Sequence, residues 1–494
     1  MTTTSDVPLI CFPSPETSFT RAFMEFVRKY ETRFAFIDPE TKERLAFWDL
    51  DNILDQIRYH LHQRGVEKGT VIATHCGNSI DFILMCMAAI DLGAVVVPMN
   101  PASTLFEIDK YLTVCEVEHI VIEPEYERKI NELLEQPKFK KISTIPLEKL
   151  RGLQENENVP PKIETDLHGE ETAFIFFSSG TTGPPKAIRH SHRTLLAPLC
   201  QVMSTTLSPT KYPIPSLLGG NRVHGVLPYF HAGGLITVFC MLVEGVTVVI
   251  NRKWNQYGFL RILMEYQVTI INIVPPVLDF LVKHPLVDSF DLSKLRLVFV
   301  GAAMCEENQI RLLKERLPDI QDVVQLFGMT EAGMLLFATP TGNTRLSSVG
   351  RPMPGVEAAV IGEDKKCLDF GEVGELVVRS PSMMVGYLGL KEAKEMIKVR
   401  GWQVNPYEIE EAIKSNVDGV KDCAVVGVKY GSDGHRPKAF VVGDVDKDAV
   451  KEFVKEKFIS YKHLCAVEIV DDIPKTPSGK IMRTKLAGEV NPYL

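Results

Sequence analysis

The densest group of chemically useful residues lies between positions 178 and 186, where four hydroxyl side chains, two glycines and a lysine occur within nine residues. An apolar stretch that is typical of a buried strand, residues 173–177, comes directly before it. A polar loop after a strand can turn successive backbone N–H groups toward one point, which creates a concave anion site. A lysine adds a mobile positive charge that suits phosphate oxygens. The segment, which we call the phosphate loop, consists of Ser178, Ser179, Gly180, Thr181, Thr182, Gly183, Pro184, Pro185 and Lys186.

The phosphate loop also has a simpler interpretation, because Ser and Gly are common in flexible surface turns. It is not a Walker A loop, since that motif needs a Gly-Lys pair followed by Ser or Thr at a fixed distance from an earlier glycine. We therefore interpret it as a candidate phosphate-binding loop of another type.

Five further segments follow a fixed order together with the phosphate loop. In that order they resemble the motifs of the adenylate-forming superfamily, which includes acyl-CoA synthetases, 4-coumarate-CoA ligases and luciferases. Within the phosphate loop motif only the last position differs, because Ala187 replaces a glycine. Six ordered matches argue against an accidental resemblance. The five segments are residues 228–231 (Pro-Tyr-Phe-His), 327–331 (Phe-Gly-Met-Thr-Glu), 350–355 (Gly-Arg-Pro-Met-Pro-Gly), 398–404 (Lys-Val-Arg-Gly-Trp-Gln-Val) and 474–480 (Pro-Lys-Thr-Pro-Ser-Gly-Lys).

The resemblance implies a two-step reaction in which ATP, CoA and a small carboxylic acid are the partners. The carboxylate attacks the α-phosphorus of ATP to give an acyl-adenylate and pyrophosphate, and the CoA thiol then takes the acyl group. Neither step requires a nucleophilic side chain. Fixed hydrogen-bond donors and cations are therefore expected to dominate catalysis.

The resemblance also implies roles for individual residues. The phosphate loop is expected to hold the β- and γ-phosphates, Thr330 to contact the α-phosphate and Glu331 to help bind Mg²⁺. Lys480 is expected to bridge the carboxylate and the α-phosphate during the first step. Further contacts with the nucleotide are expected from residues near the ends of strands, namely Gly301, Ala302, Ala303, Gln325, Phe327, Gly328 and Met329.

For the second step the resemblance implies that a small C-terminal domain rotates about a hinge. This rotation withdraws Lys480 and presents Arg400, Gly401 and Trp402 to CoA. Lys394 and Lys398 are similar to lysines that flank the adenylate after the rotation.

Three of these assignments have a plainer alternative. His231 is similar to the residue that lies beside the acyl group, in a pocket lined by residues 223–234, but a core histidine satisfied by backbone groups fits the sequence equally well. Residues 301–303 alone fit an ordinary tight turn. Lys480 alone fits a solvated surface lysine.

Alternating strands and helices are predicted to position the loops. Thr104 and Glu107 have the spacing of a capping box, and Gly65 and Gly93 are placed to end helices. Apolar strands that alternate with helices imply parallel sheets covered on both faces, with function at the carboxyl ends of the strands. Helical periodicity predicts helices at residues 50–61 and 78–91, and apolar runs predict strands at residues 71–73, 94–97, 119–122, 297–300 and 322–326.

A chain of 494 residues is long for a single core. We expect an α/β protein with a large N-terminal domain of doubly wound sheets and a small β-barrel portion, residues 1–390. A smaller C-terminal α+β domain is expected at residues 391–494. Its predicted helices lie at residues 407–414 and 447–457, and its predicted strands at residues 424–428, 439–442 and 467–470.

The chain departs from the superfamily between Tyr387 and Lys394, where it reads Leu-Gly-Leu-Lys-Glu-Ala. Members of the superfamily normally carry a Thr-Gly-Asp loop, several strands and an Asp-Arg hinge here, and the aspartate and arginine contact the ribose. Because hydrogen bonds to charged groups contribute about 1.5–3 kcal/mol each, their loss is expected to weaken nucleotide binding. The short connection is also expected to restrict rotation.

Two classes of function therefore stay open. The first is an ATP-dependent acyl-CoA or aryl-CoA ligase. The second is a catalytically impaired, splice-type variant that binds acyl, CoA or nucleotide ligands. A serine hydrolase lacks support, because no Gly-x-Ser-x-Gly elbow occurs in the sequence.

Composition narrows the partners further. The net charge is −8, the isoelectric point is near 5.9, and charges of both signs are interspersed, which argues against nucleic acid as the main partner. Ten cysteines without a C-x-x-C pair indicate reduced thiols and a cytoplasmic location. The longest apolar window, residues 226–250, contains Pro228, His231 and Glu244, so no transmembrane segment is expected. The sequence leaves the acid and the oligomeric state open.

Overall fold

The structure of this protein is a computed structural model. Its α-helices are α1 (Phe19–Val27), α2 (Leu50–His62), α3 (Ile80–Asp91), α4 (Leu105–Cys115), α5 (Glu127–Leu134), α6 (His192–Leu207), α7 (Ala232–Leu242), α8 (Gln256–Glu265), α9 (Pro275–Lys283), α10 (Glu307–Arg316), α11 (Pro406–Asn416) and α12 (Lys447–Lys457). The residues that the structure describes are 2–9, 14, 17–151, 162–178, 186–207, 220–303, 305–343, 345–362, 366–388, 397–399, 402–404, 406–430, 435–474, 481, 483 and 486.

The β-strands form three sheets in the N-terminal part of the chain, and a hairpin and a fourth sheet in the C-terminal part. In chain order they are β1 (Thr2–Thr4), β2 (Phe34–Ile37), β3 (Arg44–Ala46), β4 (Val71–His75), β5 (Val95–Pro98), β6 (His119–Ile122), β7 (Ser143–Pro146), β8 (Thr172–Ser178), β9 (Lys186–Ser191), β10 (Arg222–Gly225), β11 (Thr247–Ile250), β12 (Ile270–Ile273), β13 (Leu297–Val300), β14 (Asp322–Phe327), β15 (Phe337–Ala338), β16 (Arg351–Pro352), β17 (Glu357–Ile361), β18 (Glu375–Arg379), β19 (Gly386–Tyr387), β20 (Ile397–Val399), β21 (Trp402–Val404), β22 (Val420–Lys429), β23 (His435–Gly443) and β24 (Ala466–Ile469).

Two large sheets dominate the N-terminal part. The first sheet has seven strands in the order β19-β9-β8-β5-β4-β6-β7, and its centre is parallel. The second sheet has nine strands in the order β16-β15-β14-β13-β12-β10-β11-β2-β3, and strands β2 and β10 to β14 run parallel within it. Because β12, β13 and β14 are parallel neighbours, the loops after β13 and β14 lie at the same end of the second sheet, as the sequence predicts.

Helices cover both faces of each large sheet. One core joins the inner faces of both sheets through α1, α3, α6 and α7, and α3 is buried along nearly its whole length. A second core packs α8, α9 and α10 on the outer face of the second sheet. A third core packs α4 and α5 on the outer face of the first sheet. The predicted α/β class, with a large N-terminal domain and a smaller C-terminal domain, is confirmed.

Local signals in the sequence set several helix ends. Thr104 and Glu107 form the predicted capping box at the start of α4, with the Thr104 N–H donating to Glu107 Oε2 at 2.8 Å. Gly65 and Gly93 follow α2 and α3 with φ of 84° and 82°, a left-handed conformation that suits glycine. Ser79 caps α3, which therefore begins two residues later than the sequence pattern predicts.

The third sheet is small and consists of three strands in the order β1-β17-β18. The small β-barrel portion expected within residues 1–390 stays a prediction. Strand β18 ends this sheet and is largely exposed, with Leu376 and Val377 at 43% and 36% of their full accessibility. After β18 the chain crosses to the first sheet, where Gly386 and Tyr387 pair with Arg189 and Ile188 of β9.

The C-terminal part is a small α+β unit. Strands β22, β23 and β24 form one sheet, β20 and β21 form a hairpin, and α11 and α12 pack on a core that includes Val404 and Phe458. Helix α12 has the bounds that the sequence predicts, while β22 and β23 extend beyond theirs. Phe106 of α4 packs against this core, so the unit contacts the N-terminal domain at the first turn of α4.

Candidate nucleotide and acyl site

The loops after β13 and β14 lie side by side at the carboxyl-terminal ends of the parallel strands of the second sheet. These strands are parallel neighbours in a register that places Val300 opposite Gln325. Residues 301–303 and 327–331 therefore lie at the same end of two neighbouring strands. The parallel order brings together two loops that the sequence predicts to contact the nucleotide.

Both loops contain a glycine where two backbones approach closely. A Cβ atom at Gly301 would lie 2.9 Å from the carbonyl oxygen of Leu326, and one at Gly328 would lie 1.8 Å from that of Met334. Ala302 has a φ of 68°, which L-residues adopt rarely. The surrounding structure holds this strained backbone in place, which is common at ligand sites.

Thr330 lies in a short turn after β14, and His190 of the first sheet fixes its backbone. Both Thr330 and Glu331 are buried, at 6% and 4% exposure. The His190 Nε2 atom lies 2.7 Å from the Thr330 carbonyl oxygen, and Nδ1 lies 3.1 Å from the Thr194 hydroxyl. Burial lowers the pKa of His190 to about 4, so the ring is neutral near pH 7 and Nε2 donates to the carbonyl. His190 thereby ties the two large sheets together.

The Glu331 carboxylate is held on one side and lacks a partner on the other. Its Oε1 atom accepts a hydrogen bond from the Tyr387 hydroxyl at 3.2 Å. Burial, and then the neighbouring Glu331, raise the pKa of Tyr387, so the phenol keeps its proton and donates. The Glu331 Oε2 atom is buried without a hydrogen-bond partner in the described part of the structure. Such an atom is costly to leave unpaired and is suited to a cation.

Lys186 brings a positive charge to the same place. It begins β9, which pairs with β19, and its Nζ atom lies 4.9 Å from the centre of the Tyr387 ring. Burial lowers the pKa of Lys186, while the carboxylate of Glu331 opposes that shift. Lys186, Tyr387 and Glu331 therefore form one cluster, which we call the carboxylate cluster.

His231 lies at the N-terminus of α7, where its ring caps the helix. Its Nδ1 atom accepts a hydrogen bond from the Gly233 N–H at 3.1 Å, and burial lowers the pKa of the ring to about 4. A Cβ atom at Gly233 would lie 2.7 Å from the terminal methyl of Met334. Met334 has a φ of 80° and follows Glu331 by three residues. The His231 ring thus satisfies a backbone N–H, and Met334 of the loop that carries Glu331 lies beside Gly233. A position of His231 beside the acyl group stays a prediction.

A small cavity of about 10 Å³, enough for one water molecule, lies between α7 and the strands of the second sheet. Asn272 reaches its wall, and the Oδ1 atom of Asn272 has no hydrogen-bond partner among the described residues. Within the segment that the sequence predicts to line an acyl pocket, the cavity is lined by Val223, His224, Gly225, Leu227, Tyr229 and Gly234.

Comparison with known protein families identifies the family of this chain. Residues 23–388 match the family described as AMP-binding enzyme, and residues 408–480 match the AMP-binding enzyme C-terminal domain. The chain belongs to the AMP-binding enzyme family. This confirms the predicted membership of the adenylate-forming superfamily and the predicted acyl-CoA synthetase type. The matched ranges lie on either side of residue 390, and the predicted domain boundary there stays a prediction.

Relatives and solved structures agree with this family. The chain is 30% identical to 4-coumarate--CoA ligase 3 of Arabidopsis thaliana over 537 residues, covering 98% of the chain and 93% of the relative. It is 29% identical to 4-coumarate-CoA ligase 1 of Narcissus pseudonarcissus, covering 93% and 91%. The fold is similar to that of an o-succinylbenzoate CoA synthetase of Bacillus subtilis, with a TM-score of 0.78, 20% identity and coverage of 96% and 99%.

An amide bond synthetase of Marinactinospora thermotolerans is also similar in fold, with a TM-score of 0.77, 22% identity and coverage of 94% and 99%.

Among the helices that the structure describes, none combines the length and the apolar character that a membrane span requires.

Several residues that the sequence predicts to contact ATP, the adenylate or CoA lie outside the part of the chain that the structure describes. Lys398 and Trp402 lie on the strands of the β20–β21 hairpin, where only the backbone is described. Ser178 ends β8, and its backbone pairs with Lys186. The residues outside the described part are Ser179, Gly180, Thr181, Thr182, Gly183, Lys394, Arg400, Gly401 and Lys480.

The remaining predicted residues of the nucleotide site have visible local roles. Gln325 donates from Nε2 to the Leu346 carbonyl at 2.5 Å, which holds residues 346–348 against β14. Phe327 packs edge-on against Phe337 at 5.9 Å between ring centres. Met329 precedes the Thr330 turn and is partly exposed. These contacts hold the edge of the site in place.

Sequence reasoning missed two residues of the site, His190 and Tyr387. His190 is one of two histidines that follow Lys186 within a few positions, and this closeness to the phosphate loop is the one local signal. Tyr387 was visible only as the residue before the departure from the family pattern. Both act on residues of the β14 loop that lie far away in sequence.

Proposed function

We propose that this protein is an ATP-dependent carboxylate–CoA ligase that activates a fatty or aryl acid as the acyl-adenylate and then transfers the acyl group to CoA. The observation that carries the proposal is the buried Oε2 atom of Glu331, which has no hydrogen-bond partner among the described residues. The Lys186 amine lies 4.9 Å from the centre of the Tyr387 ring, and the hydroxyl of Tyr387 donates to the same carboxylate. The relatives named as 4-coumarate-CoA ligases support the same chemistry.

Mg²⁺ fits the carboxylate cluster. Proteins usually bind this ion through one or two carboxylates, and substrate phosphates and water complete the octahedron. Within the described part of the chain, no group of three or more His, Cys, Asp or Glu side chains is placed to hold a metal by itself. Glu331 would supply one oxygen ligand, and the ion would neutralise charge on the phosphate oxygens.

The protein's own residues then have distinct tasks in the first step. Tyr387 orients the Glu331 carboxylate, His190 fixes the carbonyl of Thr330, and Lys186 faces phosphate oxygens as a cation. With Lys480 between carboxylate and α-phosphate, a carboxylate oxygen bonds to the α-phosphorus and pyrophosphate leaves. Donors fixed in a buried site are effective because they need no reorganisation during the reaction.

In the second step the CoA thiol releases its proton to solvent, its sulfur attacks the acyl carbon of the adenylate, and AMP leaves with the electron pair of the broken C–O bond. We assign CoA contacts to Arg400, Gly401 and Trp402, and contacts with the adenylate to Lys394 and Lys398. The cytoplasm is the proposed location, which the cysteine pattern of the sequence supports.

A second candidate function is non-catalytic binding of nucleotide, acyl or CoA ligands. The alignment with the Arabidopsis relative spans 537 positions, whereas the chain has 494 residues. Within the aligned span, the relative therefore has residues with no counterpart in this chain. The two family matches also leave residues 389–407 uncovered. Both observations agree with the missing ribose contacts that the sequence indicates.

Carboxylate-dependent exchange of labelled pyrophosphate into ATP tests these functions, because it reports the first step alone. The assay should cover a panel of aliphatic and aromatic acids, and calorimetry should measure ATP binding in parallel. Exchange with at least one acid supports the ligase. ATP binding without exchange for any acid supports the non-catalytic function, and release of ADP and phosphate contradicts both.

A further inference from the structure

A buried ion triad joins the two domains. The Lys462 ammonium of the C-terminal unit lies 2.7 Å from Glu107 Oε1 on α4 and 3.0 Å from Glu408 Oε2 on α11. The three side chains are only 2%, 1% and 0% exposed. Glu107 belongs to the N-terminal domain and Glu408 to the C-terminal unit, so the ammonium bridges the interface. We call Lys462, Glu107 and Glu408 the interdomain triad.

Two further contacts support the interdomain triad. The Thr104 hydroxyl donates to the Lys457 carbonyl at 2.5 Å, while the Thr104 N–H donates to the Glu107 carboxylate. The Phe106 ring packs edge-on against Phe458, with 5.6 Å between ring centres. The capping box of α4 therefore has two roles, because it begins the helix and orients Glu107 toward the C-terminal unit.

Helix α4 also connects the interdomain triad with the phosphate loop. Tyr111 lies one turn after Glu107, and its ring centre is 4.3 Å from that of Phe177. Phe177 is the penultimate residue of β8, which leads into the phosphate loop. A movement of the C-terminal unit relative to α4 therefore acts on a helix that packs directly against this strand.

The chemistry of the contact suits docking in one defined orientation. An apolar patch would hold two domains together equally well, because removing three charged groups from water costs as much as their attraction returns. Charged groups need their partners at the correct distance and angle, so a small rotation leaves them unpaired and buried. Once the domains separate fully, water can solvate all three groups again. Such a contact favours one docked orientation while allowing release.

We propose that Lys462 is a positioning residue that, through Glu107 and Glu408, fixes the C-terminal domain on α4 in the orientation that serves one of the two half-reactions. This inference rests on the proposed ligase function. It predicts that three residues outside the nucleotide site change the ratio of the rates of the two half-reactions.

The test measures the two half-reactions separately in the full chain. Pyrophosphate exchange reports the first step, and thioester formation from a supplied acyl-adenylate reports the second. Lys462→Met is expected to slow one step at least tenfold and to leave the other within about twofold. Glu107→Gln is expected to slow the same step, and it leaves the Lys462–Glu408 pair inside the C-terminal unit intact. Lys462→Arg, which restores a cation, is expected to recover part of the lost rate.

Arg58→Met provides the matched control. Arg58 contacts Asp55 and Asp91, so it is also one buried cation between two carboxylates, but all three lie in helices α2 and α3 of the N-terminal domain. This variant is expected to lose thermal stability and to keep the ratio of the two half-reactions unchanged. Equal loss of both steps in Lys462→Met and Glu107→Gln would overturn the proposal, as would unchanged rates in both.

A distance measurement separates this proposal from the proposed function. One spectroscopic label on α5 and one on α12 report the distance between the domains in the unmodified chain and in both variants. If the unmodified chain catalyses neither step, the ligase assignment fails, but the triad still predicts a narrow distance distribution that broadens in Lys462→Met and Glu107→Gln. An unchanged distribution in these variants would show that the triad does not fix the orientation.

Discussion

The surroundings of Glu331 and of His231 differ in how they are built, although Met334 links the two. Around Glu331, crossing backbones and hydrogen bonds fix the carboxylate and leave its Oε2 atom without a partner among the described residues. Around His231, the ring is satisfied by the Gly233 N–H, and the terminal methyl of Met334 fills the space beside that glycine. Hydrogen bonds and close backbone contacts determine the structure around Glu331, whereas the packing of side chains determines the structure around His231.

Under the proposed function, the Glu331 region would serve the reaction that all acids share, and the His231 region would serve the choice of acid. The Glu331 carboxylate tolerates little change, because Glu331 follows β14 of the second sheet and its hydrogen-bond donor Tyr387 lies in the first sheet. The terminal methyl of Met334 lies beside Gly233, and methionine is a flexible side chain, so one substitution there can change the local volume. We therefore expect substitutions near Glu331 to change the rate for all acids, and substitutions near His231 to change which acid is preferred.

The largest effect is expected for Glu331→Gln, which removes the charge and keeps the volume. Pyrophosphate exchange should fall about 100- to 1,000-fold for every acid, the usual cost of removing a fixed electrostatic contact in a transition state. The matched control is Glu307→Gln on the exposed face of α10, which should stay within about twofold. A normal exchange rate in Glu331→Gln would remove Glu331 from the nucleotide site.

Tyr387→Phe should have the next largest effect, because it deletes the hydroxyl that orients Glu331 and keeps the ring beneath Lys186. A hydrogen bond to a charged group is worth about 1.5–3 kcal/mol, so exchange is expected to fall about 10- to 100-fold. Tyr257→Phe, at an exposed tyrosine on α8, is the control and should behave as the unmodified chain does. Equal rates for the two variants would show that the hydroxyl has no role in the first step.

On the His231 side, Met334→Gly should change acid preference more than rate. Glycine adopts the φ of 80° without strain and removes the side chain that lies beside Gly233. The ratio of kcat/KM for a branched or aromatic acid to that for a short linear acid should rise about tenfold, within the range that small volume changes in pockets produce. Gly233→Ala should change the same ratio in the opposite direction. A uniform loss for all acids would contradict the distinction between the two regions.

The smallest effect on activity is expected from pH, since His190 and His231 both have a pKa lowered by burial to about 4. Neither ring should titrate in rate profiles between pH 6 and 8. Stability behaves differently, because the unfolded chain binds a proton on each such histidine below about pH 6.5 while the folded chain does not. The free energy of unfolding should therefore decrease as pH falls from 6.5 toward 4.

His224 allows a direct check of this pH effect. Both of its ring nitrogens are buried without a hydrogen-bond partner among the described residues, and burial lowers its pKa to about 3. In denaturant melts at pH 7, 6 and 5, His224→Leu should reduce the average slope of stability against pH by about 1 kcal/mol per pH unit, since one proton contributes at most about 1.4 kcal/mol per unit and does so fully only well below pH 6.5. An unchanged slope would show that this histidine titrates in the folded protein as it does in the unfolded chain.

Much of the fold could be predicted because its signals are local. Apolar runs predict the strands β6 and β13 with their observed bounds, and the Thr104–Glu107 spacing predicts the capping box of α4. The alternation of strands and helices predicts parallel strands, and it therefore places residues 301–303 and 327–331 at the carboxyl-terminal ends of such strands. Each of these signals lies within a few residues of the feature that it predicts.

The contacts that complete the site could not be predicted, because they join distant parts of the chain. His190 and Thr330 are 140 residues apart, Tyr387 and Glu331 are 56 apart, and Lys462 and Glu107 are 355 apart. Their proximity depends on the order of strands in two sheets and on the docking of a second domain. No periodicity or spacing in the sequence contains that information.

The transfer of oxygen from the acid tests the central claim most directly. With an acid labelled in both carboxylate oxygens by oxygen-18, attack on the α-phosphorus followed by thioester formation must leave one labelled oxygen in AMP. Mass spectrometry of the products should therefore show singly labelled AMP together with unlabelled pyrophosphate. Label in inorganic phosphate with release of ADP would place the attack on the γ-phosphorus and contradict the account.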